Sequence, residues 1–168
     1  MENIFLIGFM GSGKSTIART LQRQLGMPLV EMDARIVQEQ GMSINDIFAK
    51  YGEDHFRDVE SQLILTIGGE GNTIVSCGGG VVVRPQNVEY MRKSGRIIYL
   101  KAKPETIYER VKHSTDRPIL NGHMNVDYIA GLMEKRRELY ENAADITIQT
   151  DGKSRDEIAK EIMAAIAE

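Results

Sequence analysis

The sequence has one cysteine, no long hydrophobic run and no marked excess of charge of either sign. Cys77 alone cannot form an internal disulfide, and its place beside a run of glycines indicates a small buried residue, with a reactive thiol as the alternative. No stretch approaches the roughly 20 apolar residues of a membrane helix. The net charge is −3 and the basic residues are dispersed, so the sequence has no stripe of basic residues of the kind that follows a nucleic-acid backbone. The sequence therefore predicts neither a membrane nor a nucleic-acid partner.

Length and composition favour one compact unit. With 168 residues, 42% of them hydrophobic, the chain can bury roughly two thirds of its unfolded surface in a single core. We therefore predict one domain over residues 1–168 that folds as a monomer. The chain begins Met1-Glu2-Asn3, without a basic leader, so a cytoplasmic protein is expected.

Apolar runs alternate with amphipathic stretches along the chain, which is typical of a parallel sheet covered by helices. We predict a three-layer α/β/α sandwich around a five-stranded parallel sheet. The predicted strands are 3–8, 29–32, 73–77, 97–100 and 145–149. The predicted helices are 14–25, 44–50, 54–67, 85–94, 104–111, 126–142 and 154–167. Ligands are expected at the carboxyl ends of the strands, which right-handed crossovers bring to one edge.

The most specific motif is the segment 8–16, Gly-Phe-Met-Gly-Ser-Gly-Lys-Ser-Thr, which lies between the first predicted strand and helix. It matches the phosphate-binding pattern Gly-x4-Gly-Lys-[Ser/Thr], in which glycines let successive N–H groups point at one anion. Lys14 can reach the β and γ phosphates, and the Ser15 hydroxyl can join a Mg²⁺ shell. A glycine-rich loop that binds nothing is the alternative. The predicted nucleotide-binding residues of this loop are Gly11, Ser12, Gly13, Lys14, Ser15 and Thr16.

Two further segments follow predicted strands. Glu31 and Asp33 are separated by one residue, so in an extended segment both share a face near the phosphate loop. The triplet Gly78-Gly79-Gly80 lets the backbone approach a ligand closely. In many such proteins a hydrophobic strand ends in an Asp that helps to bind the metal, but the third predicted strand has Ser76 there. We therefore expect Ser15 and one of the two acids to bind the metal. A solvated acidic turn and a flexible loop are the alternatives.

Together these segments resemble the shikimate kinase family, a member of the nucleoside-monophosphate-kinase-like P-loop group, over nearly the whole chain. Its phosphate loop corresponds to residues 8–16, and its Asp-x-Asp motif to Glu31-Met32-Asp33 with one substitution. The other matches are Phe56-Arg57-Asp58-Val59-Glu60, Gly78-Gly79-Gly80, Arg117-Pro118-Ile119-Leu120 and Arg136-Arg137-Glu138-Leu139-Tyr140. Ordered motifs at family-like spacing are more specific than the phosphate loop alone.

The resemblance implies Mg²⁺-dependent transfer of the ATP γ-phosphoryl group to the 3-hydroxyl of shikimate, on the way to chorismate and the aromatic amino acids. Arg57 and Arg136 match the arginines that bind the acceptor's carboxylate, a task suited to a guanidinium fork. Asp33 matches the acid that holds the hydroxyls and accepts the reacting proton. Residues 78–80 complete the predicted acceptor site, whose helices span about 33–62. Taken singly, Arg57 could instead be a surface helix charge paired with Glu60 or Asp54, and Arg136 could pair with Tyr140 or with an acid across the helix.

The resemblance also assigns residues around the nucleotide. Arg117, in a polar segment at about 112–125, corresponds to a lid cation that closes on the phosphates beside Lys14 and Mg²⁺. An incidental Arg-Pro in a loop is the alternative. Arg110 matches the residue that stacks on adenine, and the loop 151–153 is expected to form the other wall. Glu31 would reach Mg²⁺ through water. Arg136, rather than its neighbour Arg137, is predicted to face inward.

Two other functions share the phosphate loop. A kinase of another small acceptor, such as gluconate or a nucleoside monophosphate, is the nearer one. Asp33 with Arg57 and Arg136 favours an anionic polyol over a nucleotide acceptor. A GTPase-like switch usually carries an Asn-Lys-x-Asp guanine reader, and this tetrapeptide does not occur in the sequence.

Overall fold

The computed structural model describes residues 2–112 and 125–168. The predicted lid cation Arg117 lies outside the described residues. The strands are β1 (Asn3–Ile7), β2 (Leu29–Glu31), β3 (Ile74–Ser76), β4 (Gly95–Lys101) and β5 (Ile146–Gln149). The helices are α1 (Lys14–Leu25), α2 (Met32–Gln40), α3 (Ile44–Tyr51), α4 (Glu53–Glu70), α5 (Pro85–Ser94), α6 (Pro104–Val111), α7 (Val126–Ala143) and α8 (Arg155–Ala167), with a 3₁₀ turn at Val81–Val83.

All five strands are parallel and form one sheet in the order β2-β3-β1-β4-β5. β1 is central, with Phe5 opposite Val75 of β3 and Ile97 of β4. Because the strands run in one direction, their carboxyl ends meet at one edge, where the loops after β1, β2 and β3 lie together. The predicted five-stranded parallel sheet is confirmed.

The two faces of the sheet bury separate hydrophobic clusters. Ile4 and Leu6 of β1 pack with α1 and α8, whereas Phe5 and Ile7 pack with the helices of the opposite face. This alternation follows from the two-residue period of a strand, and both faces are apolar because helices cover both. The predicted three-layer α/β/α sandwich is therefore confirmed. No helix in the described part of the chain is long and apolar enough to cross a bilayer.

Local signals set several helix ends. Ser154 forms a capping box with Glu157 at the start of α8. Pro85 and Pro104 occupy the first turns of α5 and α6, where a missing N–H costs least. The bounds of α1, α5 and α6 coincide with the prediction, while α4 is longer than the predicted 54–67.

The extended segment predicted for Glu31 to Asp33 is wrong, because α2 begins at Met32 directly after β2. Met32 and Ile36, one helical turn apart, are fully buried and give α2 its apolar face. Asp33 lies in the first turn, where the helix dipole favours an acid. Neither α2 nor the turn Val81–Val83 was among the predicted elements, although acceptor-site helices were expected over about 33–62. The consequence for the site is that a helix start, rather than a strand, presents Asp33.

Candidate active site

A cavity of about 530 Å³ opens at the edge where β1, β2 and β3 end. We call its two parts the phosphate end, formed by residues 8–16 with Arg110, and the acceptor end, formed by Asp33, Arg57, Glu60, residues 78–80 and Arg136. The predicted residues that line the cavity are Gly11, Gly13, Lys14, Ser15, Thr16, Glu31, Asp33, Arg57, Gly78, Gly79, Gly80, Arg110 and Arg136. The fold thus brings residues from six separate segments of the chain to one cavity.

The phosphate end is shaped by its backbone. Gly11 and Gly13 have φ angles of 79° and 97°, a left-handed conformation that glycine adopts without strain. α1 starts at Lys14 without an acid in its first turn, so its N-terminal N–H groups and positive end are available to an anion. The Lys14 ammonium donates to the carbonyl oxygens of Gly8 at 2.8 Å and Phe9 at 3.1 Å. The loop therefore holds its own cation in place.

Ser12 differs from the other loop residues, because it is buried inside the loop and is not among the residues that line the cavity. Its N–H donates to the Phe9 carbonyl at 3.1 Å. A Cβ on Gly8 would lie 2.7 Å from the Ser12 hydroxyl oxygen, so a side chain there would collide with it. The geometry gives Ser12 a part in shaping the loop.

The oxygen ligands near the phosphate end suit Mg²⁺, which takes few protein oxygens beside phosphate and water. The exposed Ser15 and the carboxylate of Glu31 both line the cavity. Glu31 Oε1 also lies 3.6 Å from Nη1 of Arg19, an exposed pair that a ligand can disturb at little cost. Within residues 2–112 and 125–168, no three His, Cys, Asp or Glu side chains gather into a metal cluster.

Arg110 links α6 to the phosphate end. Its Nη1 donates to the Gly11 carbonyl at 2.9 Å, across 99 positions of sequence. The loop 151–153, expected to form a second adenine wall, is not among the residues that line the cavity. Asp151 instead accepts hydrogen bonds from the Lys103 N–H at 3.1 Å and the Thr106 hydroxyl at 2.6 Å. These bonds fix the loop to the start of α6.

The glycine triplet packs against the charged groups of the acceptor end. None of the three has a positive φ, so backbone conformation does not require glycine here. Lack of space requires it instead. A Cβ on Gly78 would lie 2.8 Å from Asp33 Oδ1 and 2.9 Å from Glu60 Oε2, and one on Gly80 would lie 2.3 Å from Arg57 Nη2. The missing side chains leave room for these groups to converge on the cavity.

Arg57 is only 5% exposed. Its Nη1 donates to Glu60 Oε1 at 3.1 Å, and its Nη2 to Glu53 Oε2 at 3.4 Å, while the guanidinium lies 5.2 Å from the centroid of the Phe56 ring. The alternative interpretation, a surface helix charge paired with Glu60, names the correct partner. It is wrong about the location, because Arg57 is buried. A buried guanidinium that faces a cavity has donors that can turn to an anionic ligand.

Glu60 was not predicted as a site residue, although it stands in a quoted motif. It is 0% exposed and lines the cavity. Burial raises the pKa of Glu60 to about 7, against the opposing effect of Arg57, and the nearby Asp33 raises it further. Its Oε2 has no hydrogen-bond partner among the described residues. The sequence signal was its position three residues after Arg57, on the same helix face.

Arg136 and Arg137 point to different surroundings. Arg136 lines the cavity, and its Nη1 is buried without a hydrogen-bond partner in the described part of the chain. The side chain of Arg137 is 48% exposed and pairs with Glu134 and Glu141 on the outer face of α7. Arg136 therefore faces the cavity and Arg137 the surface, the orientation predicted from the sequence.

Tyr140 packs against the acceptor end and supports it, a role that was not predicted. Its hydroxyl donates to the Gly79 carbonyl, and its ring stacks on Tyr99 with centroids 5.1 Å apart. Burial raises the pKa of Tyr140 to about 12, so it remains a donor at neutral pH.

Cys77, just before the triplet, belongs to the core, and burial raises the pKa of its thiol, which favours the packing role over a nucleophile.

A sequence model of the shikimate kinase family matches residues 10–167. The chain belongs to the shikimate kinase family. Shikimate kinases of Dehalococcoides mccartyi and Persephonella marina are 46% and 43% identical to it. The alignments cover 96% and 99% of this chain, and 91% and 99% of those proteins. The family predicted from the motifs, and with it an ATP-dependent kinase, is confirmed.

Solved shikimate kinase structures share the fold. The shikimate kinase of Aquifex aeolicus is 34% identical, with a TM-score of 0.85 and coverage of 98% of this chain and 96% of that one. The shikimate kinase of Acinetobacter baumannii, in complex with shikimate, gives a TM-score of 0.95 at 29% identity, with coverage of 99% and 93%. A gluconokinase of Sinorhizobium meliloti, at 18% identity and a TM-score of 0.62, shares the fold alone. The gluconate alternative is therefore not favoured.

Proposed function

We propose that this chain transfers the γ-phosphoryl group of ATP to the 3-hydroxyl of shikimate, giving shikimate 3-phosphate and ADP. The observation that best supports this proposal is a single cavity with a phosphate-binding loop at one end and two arginines with Asp33 at the other. Shikimate carries a carboxylate and three hydroxyls, which match guanidinium donors and a carboxylate acceptor. The similarity to a solved shikimate kinase with shikimate bound supports the same choice.

At the acceptor end, Arg57 and Arg136 bind the carboxylate of shikimate. Their side chains line the same cavity from α4 and α7, so the substrate spans two helices. Asp33, at the start of α2, accepts hydrogen bonds from the hydroxyls and takes the proton of the reacting one. The backbone of Gly79 and Gly80 supplies further contacts beside the two arginines.

At the phosphate end, catalysis consists of alignment and of offsetting charge on the transferred group. The loop N–H groups hold the inner phosphates, with Thr16 facing them, and Lys14 exchanges its two carbonyl partners for phosphate oxygens. Ser15, and Glu31 through water, would hold Mg²⁺, which would supply positive charge to offset the charge of the phosphates. Arg110 stacks on adenine. The resemblance alone assigns Arg117, which lies outside the described residues, as a further cation for the phosphates.

We also infer that the enzyme works as a cytoplasmic monomer on the route to chorismate. The cavity lies within one chain, and the described part of the chain holds both of its ends. Sedimentation of the purified protein checks the oligomeric state, with a mass close to 18.8 kDa expected.

The test is ADP release from MgATP by the purified protein, with shikimate, gluconate, AMP or no acceptor offered in parallel. We expect release with shikimate alone. Release with gluconate or AMP instead would retain the kinase class and overturn the roles proposed for Arg57 and Arg136. Intact ATP binding without release for any acceptor would contradict a kinase.

A further inference from the structure

Glu60 is the buried ionisable group of the acceptor end that the proposed mechanism does not use. It lies on α4, one helical turn after Arg57, and only its Oε1 is engaged, with Arg57 Nη1 at 3.1 Å. Its Oε2 is buried, has no hydrogen-bond partner among the described residues, and lies 2.9 Å from where a Cβ of Gly78 would be. Asp33 Oδ1 lies 2.8 Å from that same position. Two carboxyl groups therefore converge at Gly78.

The charges of the acceptor end balance only before the acceptor arrives. Asp33 and Glu60, when both are ionised, offset Arg57 and Arg136. A carboxylate acceptor brings one more negative charge into a cavity where burial weakens solvent screening. Like charges in such a site disfavour each other's ionised form, so one carboxyl group is driven to bind a proton.

We propose that Glu60 is a proton-linked positioning residue, which takes up a proton from solvent when the acceptor's carboxylate docks on Arg57. The inference rests on the proposed function, since it takes shikimate as the acceptor. Oε1 continues to accept from Arg57, and the proton binds at Oε2, whose O–H then points toward the side of Gly78 where Asp33 lies. No covalent bond to the substrate forms or breaks in this step.

Glu60 is better suited than Asp33 to take the proton. It is fully buried and its pKa is already raised to about 7, chiefly by burial, so a small further rise keeps it protonated at neutral pH. The groups that act on it are Arg57 on its own helix, Asp33 on α2 and Arg136 on α7, with the Cys77 thiol after β3. The thiol stays neutral because burial raises its pKa. Asp33 keeps its proposed role toward the reacting hydroxyl.

The sign of the pH dependence follows from proton uptake. The complex binds more protons than the free protein, so shikimate affinity is highest when Glu60 is already protonated and falls as pH rises through about 7. If the acceptor raises the pKa by one to three units, the dissociation constant increases about 5- to 30-fold between about pH 6 and about pH 8.5.

The experiment is calorimetric titration of the whole protein with shikimate, without nucleotide, in buffers of different ionisation enthalpy. Near neutral pH we expect uptake of about half a proton per shikimate bound. Glu60→Gln should abolish the uptake and leave an affinity that does not vary with pH. Glu53→Gln removes the other, exposed acid that pairs with Arg57 and should retain the uptake.

Uptake that persists in Glu60→Gln, or pH-independent binding by the unaltered protein, would overturn the inference and leave the proposed function standing. Absence of shikimate binding at every pH would overturn the proposed function and the inference with it. Should Glu60→Gln fail to fold, carboxyl ¹³C NMR of the unaltered protein decides. We expect the pKa of Glu60 to rise by about one unit or more when shikimate binds, and an unchanged pKa would refute the inference.

Discussion

The phosphate end and the acceptor end of the cavity are built in opposite ways. Apart from Arg110, the phosphate end comes from consecutive residues, and its ammonium group, on Lys14, is already held by two carbonyl oxygens of the same loop. The acceptor end comes from α2, α4, α7 and the loop after β3. There, Glu60 Oε2 and Arg136 Nη1 are buried without partners in the part of the chain that the structure describes.

This difference shows where the protein depends on its ligand. A buried polar atom without a partner costs about 1 to 3 kcal/mol, so the acceptor end carries a cost that a polar ligand can remove. At the phosphate end, the Lys14 ammonium already has two carbonyl partners and must exchange them for phosphate oxygens. Ser12 Oγ is also buried without a partner among the described residues, but Ser12 does not line the cavity. We therefore expect substitutions at the two ends to separate nucleotide effects from acceptor effects.

Lys14→Ala should have the largest effect, because it removes the lysine ammonium from the phosphate end. We expect kcat to fall about 10³-fold, in the range found for groups that stabilise developing charge. Shikimate binding without nucleotide should remain within about twofold, since nothing at the acceptor end changes. Lys93→Ala, an exposed lysine paired with Glu89 on α5, is the control and should alter neither value. Equal losses of MgATP and shikimate binding would contradict separate ends.

Asp33→Asn keeps the shape of the side chain and removes the proposed proton acceptor. Turnover should fall by about 10²-fold or more, the usual contribution of a general base, while MgATP still binds. Steady-state rates with nucleotide binding measured in parallel check this. Asp58→Asn, at an exposed acid paired with Arg84, should be neutral. Unchanged turnover in Asp33→Asn would remove this residue from the mechanism.

Arg136→Ala and Arg137→Ala test adjacent arginines that face opposite ways. Loss of Arg136 should raise the shikimate KM about 30- to 100-fold, which corresponds to about 2 to 3 kcal/mol for hydrogen bonds between charged groups. Arg137→Ala breaks only exposed pairs with Glu134 and Glu141 and should change this KM by about twofold or less. An equal rise in the KM for ATP would indicate a folding defect instead.

Gly80→Ala should have a smaller effect on the same end. The added Cβ would lie 2.3 Å from Arg57 Nη2, and the guanidinium must shift to make room. We expect about a tenfold rise in the shikimate KM, as for one weakened charged hydrogen bond. Gly131→Ala, on α7 with open space around its Cβ position, should leave the KM unchanged and slightly stabilise the helix. A normal KM in Gly80→Ala would show that Arg57 does not need its present position.

The phosphate end could be predicted from sequence because its geometry is local. Residues 8–16 carry both the turn and the helix start, and α1 was predicted to the residue. The acceptor end was predicted only through family resemblance, since Arg57 and Arg136 are 79 positions apart and meet through the fold. The burial of Glu60 depends on how α4 packs against α2, which no local pattern encodes. α2 was missed because it follows β2 without a loop.

The most direct test is a crystal structure of the protein with shikimate and without nucleotide. We predict that the carboxylate of shikimate lies within hydrogen-bond distance of Arg57 and Arg136 and that one of its hydroxyls contacts Asp33. The Lys14 ammonium should still donate to the carbonyls of Gly8 and Phe9. Shikimate bound with its carboxylate on Lys14, or a phosphate loop rearranged by the acceptor alone, would contradict a cavity whose two ends are built and filled independently.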